Sequence, residues 1–316
     1  MPDKQMAIQR AWRTNGSTTV RPVMLAIAGD SASGKTTLTR GLVSALGHDR
    51  ITSLCVDDYH RYDREERKGL PFTPLHPDCN YVDVMEQHLQ LLSLGQPILK
   101  PVYSHRTGTL ERPVLVEPRE FIIVEGLLPL HSKLSRACFD VKVYLDPPEE
   151  LRIKWKMQRD TGKRGYDEAQ VRAELERREP ESAAFIRPQR SHADVVVRFS
   201  PIAERGEGPA DPPSATLLLR PTVPHPDLSN IVGEDTRESM HVKLLRDEDG
   251  KPVDALHIHA YGPPPVSTHV EAQIWDEIGV EDPRPDSLGT FDGGRSEPLA
   301  ITQLLLLYHL IQAKRG

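Results

Sequence analysis

Short apolar runs alternate with longer polar or amphipathic stretches over much of the 316-residue chain. Each run has the length and the aliphatic content expected of a buried strand. These runs occupy residues 23–28, 51–56, 121–126, 141–146 and 195–199. Helical spacing of apolar positions predicts helices between them, at residues 37–46, 81–94 and from Glu149 onward. We therefore expect an α/β fold with a mostly parallel sheet covered by helices.

The pattern changes beyond residue 203. A Pro/Gly/acidic stretch at 204–215 predicts a loop, and two strand-like runs at 240–245 and 253–259 predict a hairpin. Residues 299–313 form an uninterrupted apolar helix that Ser296 can cap. The predicted units are therefore a flexible arm at 1–20, a core at 21–203, the loop at 204–215, and a mixed α/β extension at 216–316 that ends in this helix.

Composition adds few constraints. The 40 Lys and Arg residues against 46 Asp and Glu give a net charge of −6, which disfavours nucleic acid as a partner. Cys55, Cys79 and Cys138 have neither zinc-site spacing nor a disulfide framework. The first residues lack the apolar core of a secretory signal, and no apolar run is long enough to span a bilayer. A cytoplasmic protein without a membrane partner is expected.

A glycine-rich turn joins the first strand to the first helix. Residues 29–36 fit the pattern G-x-x-x-x-G-K-[ST] at every fixed position. Such a turn presents backbone N–H groups to phosphate oxygens. Lys35 is expected to reach the β- and γ-phosphates of ATP, and the Thr36 hydroxyl is expected to bind Mg²⁺. The predicted nucleotide-binding residues are Gly29, Asp30, Ser31, Ala32, Ser33, Gly34, Lys35, Thr36 and Thr37.

Two carboxylates stand at the ends of strand-like runs. Functional groups of open α/β sheets gather at the carboxyl ends of the strands, beside the phosphate-binding turn. Asp57 follows the run 51–56 and is placed to face a phosphate acceptor. Glu125 lies in the run 121–126, at a place where P-loop enzymes use an acid to hold Mg²⁺ or orient its waters.

Several further stretches, taken together, resemble the phosphoribulokinases within the uridine kinase/phosphoribulokinase group of P-loop kinases. The matching stretches are residues 57–64, 100–108, 124–127, 155–165 and 193–197. The likeness runs from about residue 22 to 201, continues faintly beyond, and is greater for the plant and cyanobacterial branch. It implies a P-loop kinase core that phosphorylates the C1 hydroxyl of ribulose 5-phosphate, with ATP and Mg²⁺, to give ribulose 1,5-bisphosphate.

The resemblance also implies roles for single residues. Asp57 corresponds to the general base that takes the proton of the attacking hydroxyl. His60 and Arg64 match positions that handle the sugar phosphate, for which fixed cations are suited. Further contacts of the substrate loop are expected from Tyr103, His105 and Arg106.

Lys156, Arg159 and Arg164 match a basic segment that closes over the phosphates, so a lid is expected near residues 156–190. Lys156 and Arg159 can share one helical face, and Arg159 and Arg164 are also expected to contact the substrate. Asp160 is expected to partner either a metal or an arginine. The implied catalytic set comprises Lys35, Asp57, Lys156, Arg159 and Asp160.

The chain departs from the plant-type pattern at its cysteines. Ser33 occupies the place of a cysteine in the phosphate-binding turn, and Cys55, which matches the second regulatory cysteine, therefore has no partner. Thiol–disulfide control across this site is not expected.

Three alternatives stay open from the sequence. Relatives of this group phosphorylate nucleosides or other small alcohols, so a uridine kinase-like activity or another sugar-phosphate kinase is possible on the same fold. A third alternative is not an enzyme: the protein could be a regulator that binds a nucleotide without catalysis. The exposed sheet edge and the apolar terminal helix suggest a homodimer.

Overall fold

A computed structural model describes residues 21–280 and 282–315, and the predicted N-terminal arm at 1–20 lies outside the described residues. The strands in the described chain are β1 (Val23–Gly29), β2 (Ile51–Cys55), β3 (Ile98–Ser104), β4 (Thr109–Val116), β5 (Phe121–Gly126), β6 (Val141–Leu145), β7 (Val195–Ser200), β8 (Ser214–Leu219), β9 (Met240–Arg246), β10 (Pro252–Ile258), β11 (Thr290–Phe291) and β12 (Gly294–Arg295). The helices are α1 (Lys35–Leu46), α2 (Val82–Ser93), α3 (Lys133–Ala137), α4 (Glu149–Arg164), α5 (Glu168–Glu181), α6 (Pro264–Ile278) and α7 (Glu297–Arg315).

The large sheet of the described chain has eight strands in the order β2-β5-β1-β6-β7-β8-β10-β9. The first five strands in this order run parallel, and β8, β10 and β9 continue the sheet with antiparallel pairing. The predicted α/β class with a mostly parallel sheet is confirmed. The strands of the predicted extension form no separate layer, because β8 pairs directly with β7 and joins the hairpin of β9 and β10 to the same sheet.

The register of the parallel strands brings their carboxyl ends together. Gly29 at the end of β1 lies opposite Leu145 of β6, and Ala28 lies opposite Gly126 of β5. Cys55 at the end of β2 lies opposite Glu125. The turn after β1, the end of β5 and the segment after β2 therefore meet at one edge of the sheet, where open α/β proteins bind their ligands.

Alternate residues of β1 build two cores, one on each face of the sheet. Val23, Leu25 and Ile27 pack with residues of α1, α6 and α7, whereas Met24 and Ala26 pack with residues of α2 and the segments near it. Every residue of β1 is buried. This is the burial expected of a central parallel strand covered on both faces, and it explains the apolar run in the sequence.

Helix α7 spans a little more than the predicted 299–313, and its first turn is capped by Ser296, whose hydroxyl accepts a hydrogen bond from the backbone N–H of Leu299 at 3.4 Å. Leu304 and Leu307 are at most 2% exposed within the core that α7 shares with α1 and the sheet. The apolar side chains of this helix are therefore used inside the chain, and its part in a dimer stays a prediction.

Two features were not predicted. The first is the hairpin of β3 and β4, which stands apart from the large sheet and contains the segment 100–108 in its first strand and its turn. Strand β8 begins at Ser214, inside the segment predicted as the 204–215 loop. Within residues 21–280 and 282–315, no helix combines the length and apolar character required to cross a bilayer.

Candidate active site

The phosphate loop, defined as residues 29–36, wraps tightly around the end of the Lys35 side chain. The Lys35 ammonium donates hydrogen bonds to the carbonyl oxygens of Gly29 and Asp30 at 2.8 and 2.7 Å. Gly29 has φ +148°, and a Cβ there would stand 2.8 Å from the Leu145 carbonyl oxygen, so this close approach requires glycine. Burial lowers the pKa of Lys35 below its ordinary value, although nearby carboxylates favour its charge.

Thr36 and Glu125 form a pair of oxygen donors at the first turn of α1. The Thr36 hydroxyl donates to the two carboxylate oxygens of Glu125 at 3.0 and 3.2 Å. Burial raises the pKa of Glu125, against the opposing charge of Lys35 and the Thr36 hydrogen bond. A hydroxyl and a carboxylate beside a phosphate-binding turn suit Mg²⁺, which takes oxygen ligands and shares its shell with substrate phosphates. The described residues contain no cluster of three or more His, Cys, Asp or Glu side chains that could hold a metal ion by themselves.

Asp57 lies in a short 3₁₀ helix, Val56–Tyr59, that follows β2 directly. Its carboxylate stands 3.5 Å from Nε2 of His105, which comes from the turn after β3. Burial opposes ionisation of Asp57, but the charges of His60, His105 and Lys35 outweigh it and leave the pKa below its ordinary value. The carboxylate is therefore ionised at neutral pH, as a proton acceptor must be.

His60 and Tyr103 pack beside Asp57. The ring of His60 meets the Tyr103 ring edge-on at 4.8 Å, and its Nδ1 lies 2.7 Å from the side-chain oxygen of Asn80. Burial lowers the pKa of His60, so the imidazole is mainly neutral at neutral pH. The backbone N–H of Tyr103 donates to Asp58 at 3.0 Å, which fixes β3 against the 3₁₀ helix.

The loop at residues 61–80 brings two arginines to this side of the site. Arg64 donates to the His105 carbonyl oxygen at 2.6 Å, while its own backbone N–H bonds Gly108, so Arg64 supports the turn that carries His105. Arg67, which the sequence analysis missed, lies 4.8 Å over the Tyr103 ring and donates to the Tyr103 hydroxyl. The sequence signal that could have identified Arg67 is its position three residues after Arg64 in the same loop. Arg106 is exposed in the turn between β3 and β4.

The predicted lid residues lie on α4, against the phosphate loop. Arg159 donates to the Ser31 hydroxyl at 3.2 Å and to Asp160 at 2.8 Å. Lys156 is only 1% exposed and donates to Asp160 at 2.7 Å. Burial disfavours the charge of Asp160, but its hydrogen bonds from Arg159 and Lys156 bring its pKa to about 2. Of the two partners expected for Asp160, cationic side chains are therefore observed. Arg164 ends α4, and its side chain lies outside what the structure describes.

Three residues that the sequence analysis did not single out complete the site. Arg152 of α4 donates to the Ser31 carbonyl oxygen at 3.2 Å and lies 3.6 Å from the Asp30 carboxylate. Ser182, just after α5, donates to the same carboxylate, and Arg178 of α5 lines a small cavity with them. No local motif marks these positions, because they reach the phosphate loop only through the packing of α4 and α5.

Comparison with known proteins identifies relatives of the part of the chain that holds this site. A profile of the "Phosphoribulokinase / Uridine kinase family" matches residues 24–204. Phosphoribulokinase of Synechocystis sp. is 42% identical over 181 residues, which are 57% of this chain and 54% of that protein. Chloroplastic phosphoribulokinase of Triticum aestivum is 35% identical over 198 residues, covering 57% of this chain and 49% of the relative.

Nucleoside kinases also match, as does a solved structure. Uridine kinase of Oceanobacillus iheyensis is 33% identical over 185 residues, which cover 56% of this chain and 86% of that protein. The structure of phosphoribulokinase from Rhodobacter spheroides has a TM-score of 0.58 at 16% identity, over 82% of this chain and 97% of that one, which supports the fold. The chain spans about half the length of the curated phosphoribulokinases it matches, with 54% and 49% of those proteins covered.

Proposed function

Because the chain belongs to the phosphoribulokinase/uridine kinase family, we propose that it transfers the γ-phosphoryl group of ATP to the C1 hydroxyl of ribulose 5-phosphate. One observation carries the proposal. The carboxylate of Asp57 stands 3.5 Å from Nε2 of His105, and the charges of His60, His105 and the phosphate-loop lysine outweigh its burial and lower its pKa. A carboxylate in this setting can accept a proton beside the γ-phosphate.

The surroundings of Tyr103 favour a phosphorylated acceptor over a nucleoside. A nucleoside kinase needs an aromatic face or amide groups that are open to a planar base. In the described residues, the guanidinium of Arg67 covers a face of the Tyr103 ring, and His60 and His105 pack against the ring edge-on. Fixed cations in the 61–80 loop suit a phosphate dianion, which arginine can bind with two hydrogen bonds.

In the proposed reaction, the acceptor hydroxyl oxygen attacks the γ-phosphorus of ATP while its proton passes to Asp57. The bond from the γ-phosphorus to the β–γ bridging oxygen breaks, and ADP leaves. Lys35 stabilises charge on the β- and γ-phosphates. Thr36 and Glu125 would hold Mg²⁺, which neutralises phosphate charge when it is bound. Alignment of the two substrates supplies much of the rate.

Arg159 is the proposed cation for the transferring phosphoryl group, since it already contacts Ser31 of the phosphate loop. Lys156 and Asp160 are proposed to hold Arg159 in place, because Asp160 accepts hydrogen bonds from both cations. Arg64 and Arg164 remain proposed contacts of the acceptor phosphate.

An ADP-release assay with Mg–ATP tests the substrate. The acceptors are ribulose 5-phosphate, ribose 5-phosphate, uridine and cytidine. We expect strong and selective turnover of ribulose 5-phosphate. Selective turnover of uridine would support the nucleoside kinase alternative, which the uridine kinase relative favours. ATP binding without turnover of any acceptor would support the non-catalytic regulator.

A homodimer also remains a proposal, now with a narrower basis. The hypothesis named two surfaces, the sheet edge and the terminal helix. Because α7 is buried, the sheet edge at β9 is the one that can meet a second chain, since β9 pairs with β10 on its other side. Leu244 and Leu245 on this strand are 74% and 41% exposed. An edge strand offers backbone groups to a second chain, and exposed leucines would add apolar area to that pairing.

A further inference from the structure

The 61–80 loop is tied to the end of α5 by a buried threonine. Thr73, only 3% exposed, donates its backbone N–H to the two carboxylate oxygens of Glu181 at 2.9 and 3.0 Å, and its hydroxyl donates to the same carboxylate. Arg177 adds longer contacts from an exposed position, with bonds to the carbonyl oxygens of Leu70 and Phe72 at 3.2 and 3.3 Å. Glu181 is therefore the main polar anchor between the loop and α5.

The next residue along the chain reaches the other substrate loop. Ser182 is 2% exposed and donates its hydroxyl to the Asp30 carboxylate, in the phosphate loop. Asp30 also lies beside Arg152 and accepts a hydrogen bond from the Ser31 backbone N–H at 2.6 Å. Two consecutive side chains thus bond to two loops that are far apart in sequence, one on the predicted acceptor side and one on the nucleotide side.

The backbone at this point is suited to transmit a displacement. Pro180 lies just before the pair, and residues Ser182–Ile186 form a π-type turn, a feature often found at functional sites. Consecutive Cα atoms are about 3.8 Å apart, so Glu181 and Ser182 cannot move independently by much. A shift of Asp30 when phosphates bind to the loop would therefore move the anchor of Thr73.

We propose that Glu181 and Ser182 are positioning residues that couple the phosphate loop to the 61–80 loop, so that nucleotide binding orders the acceptor side of the site. The coupling is reciprocal, and an acceptor that orders the 61–80 loop strengthens nucleotide binding by the same factor. The identification of the 61–80 loop as the acceptor side rests on the proposed kinase function, but the ordering step itself needs only a nucleotide.

Amide hydrogen exchange of the full 316-residue chain tests this coupling. The probe is a non-hydrolysable ATP analogue with Mg²⁺, at a saturating concentration for each variant. In the wild type, we expect the analogue to slow exchange of residues 70–76 by about fivefold or more, the lower end of typical coupling between sites. Glu181→Ala and Ser182→Ala should each abolish this slowing while exchange in the phosphate loop is still slowed.

Glu176→Ala is the matched control, since Glu176 is an exposed glutamate on the same helix. It should behave as the wild type. The coupling is refuted if the wild type shows no slowing at residues 70–76, or if slowing persists in both variants. Loss of the slowing in Arg177→Ala alone would also overturn the assignment to Glu181. If one variant loses thermal stability, the other variant decides whether the coupling exists, because the two substitutions remove contacts with different loops.

Turnover separates this inference from the proposed function. In the wild type, the acceptor KM should fall as ATP rises, and in the two variants it should become independent of ATP. Failure of the wild type to phosphorylate ribulose 5-phosphate would remove the proposed substrate and leave the exchange result standing. Normal turnover of ribulose 5-phosphate by the wild type, with an acceptor KM that does not depend on ATP, would support the proposed substrate and refute the coupling.

Discussion

Replacement of Asp57 by asparagine removes one negative charge and little volume. The Asp57→Asn side chain retains the size needed to sit 3.5 Å from His105, but it cannot take the proton of an attacking hydroxyl. General bases typically contribute 10²–10⁴-fold in rate, which corresponds to about 2.7–5.4 kcal/mol of activation free energy. We therefore expect kcat to fall by at least about a hundredfold. ATP affinity should stay within about threefold of the wild type, since Asp57 is not expected to contact the nucleotide.

The neighbouring carboxylate provides a sharp control. Asp58 forms an ion pair with Lys100 and accepts a hydrogen bond from the Tyr103 backbone, and these side chains are 17% and 10% exposed for Asp58 and Lys100. Asp58→Asn leaves the Lys100 charge without its partner and should cost about 3 kcal/mol of folding stability. Its folded fraction should keep a kcat much closer to the wild-type value. Adjacent aspartates would then separate into a catalytic and a structural role.

The assay combines ADP release, calorimetric binding of an ATP analogue, and thermal unfolding for both variants. The wild-type profile of kcat/KM should also show no loss from Asp57 protonation between pH 8 and 5, because the pKa of this carboxyl lies below its ordinary value. Retention of more than about a tenth of the wild-type kcat in Asp57→Asn would refute the base assignment, since a general base typically contributes at least about a hundredfold.

Four other predictions follow from single contacts. Arg64→Ala should raise the acceptor KM by about tenfold or more with little change in the ATP KM, and equal changes in both would contradict a substrate role. Glu271→Gln should lower the unfolding free energy in urea by about 3 kcal/mol, because Glu271 is 1% exposed and pairs with two arginines. Burial is the main cause that lowers the pKa values of His257 and His259 to about 4. As the pH falls below 6.5, the unfolded chain therefore binds protons that the folded chain does not. Stability should therefore fall from pH 7 to 4.5, and replacement of both histidines by glutamine should flatten this slope in thermal unfolding. Leu244→Lys should reduce the mass measured by light scattering to that of a monomer, and an unchanged dimer mass would remove β9 from the interface.

The parts of the site that the sequence predicts are those encoded in consecutive residues. The glycine-rich turn, its lysine and its threonine occupy one short stretch between a strand and a helix, so their geometry follows from local structure. Asp57 and Glu125 were accessible by one more step, because parallel strands place their ends at a common edge. Their chemical roles stay predictions until the variants are measured.

The remainder depended on packing between distant segments. Neither Ser182 nor Thr73 stands in a recognisable pattern, and each becomes relevant only when α5 lies against both loops. The histidines of β9 and β10 show the opposite difficulty. The alternation of His257 and His259, near the end of β10 and just after it, is visible in the sequence. In the structure the ring of His241 stacks with both rings at 4.7 and 4.9 Å, and its Nδ1 lies 2.9 Å from Nε2 of His259, which no spacing rule reveals.

The apolar terminal helix illustrates why burial is hard to assign from composition. A helix that is apolar on all sides fits an interface or a core equally well. The topology decides here, since β8 and β10 widen the sheet and α7 covers the same face as α1.

The contact of α7 with α1 also has a consequence for how the protein is synthesised. A Cβ at Gly41, in the helix that begins at the phosphate loop, would stand 1.9 Å from the side-chain amide nitrogen of Gln303, so α1 and α7 lie in close contact. Because translation proceeds from the N-terminus, the nucleotide-binding turn emerges from the ribosome long before the helix that supports it from behind. We expect nascent chains that end before residue 297 to bind ATP weakly and to engage chaperones through the uncovered face of α1. Competence for phosphate binding would then be acquired only after the segment that forms α7 has been synthesised.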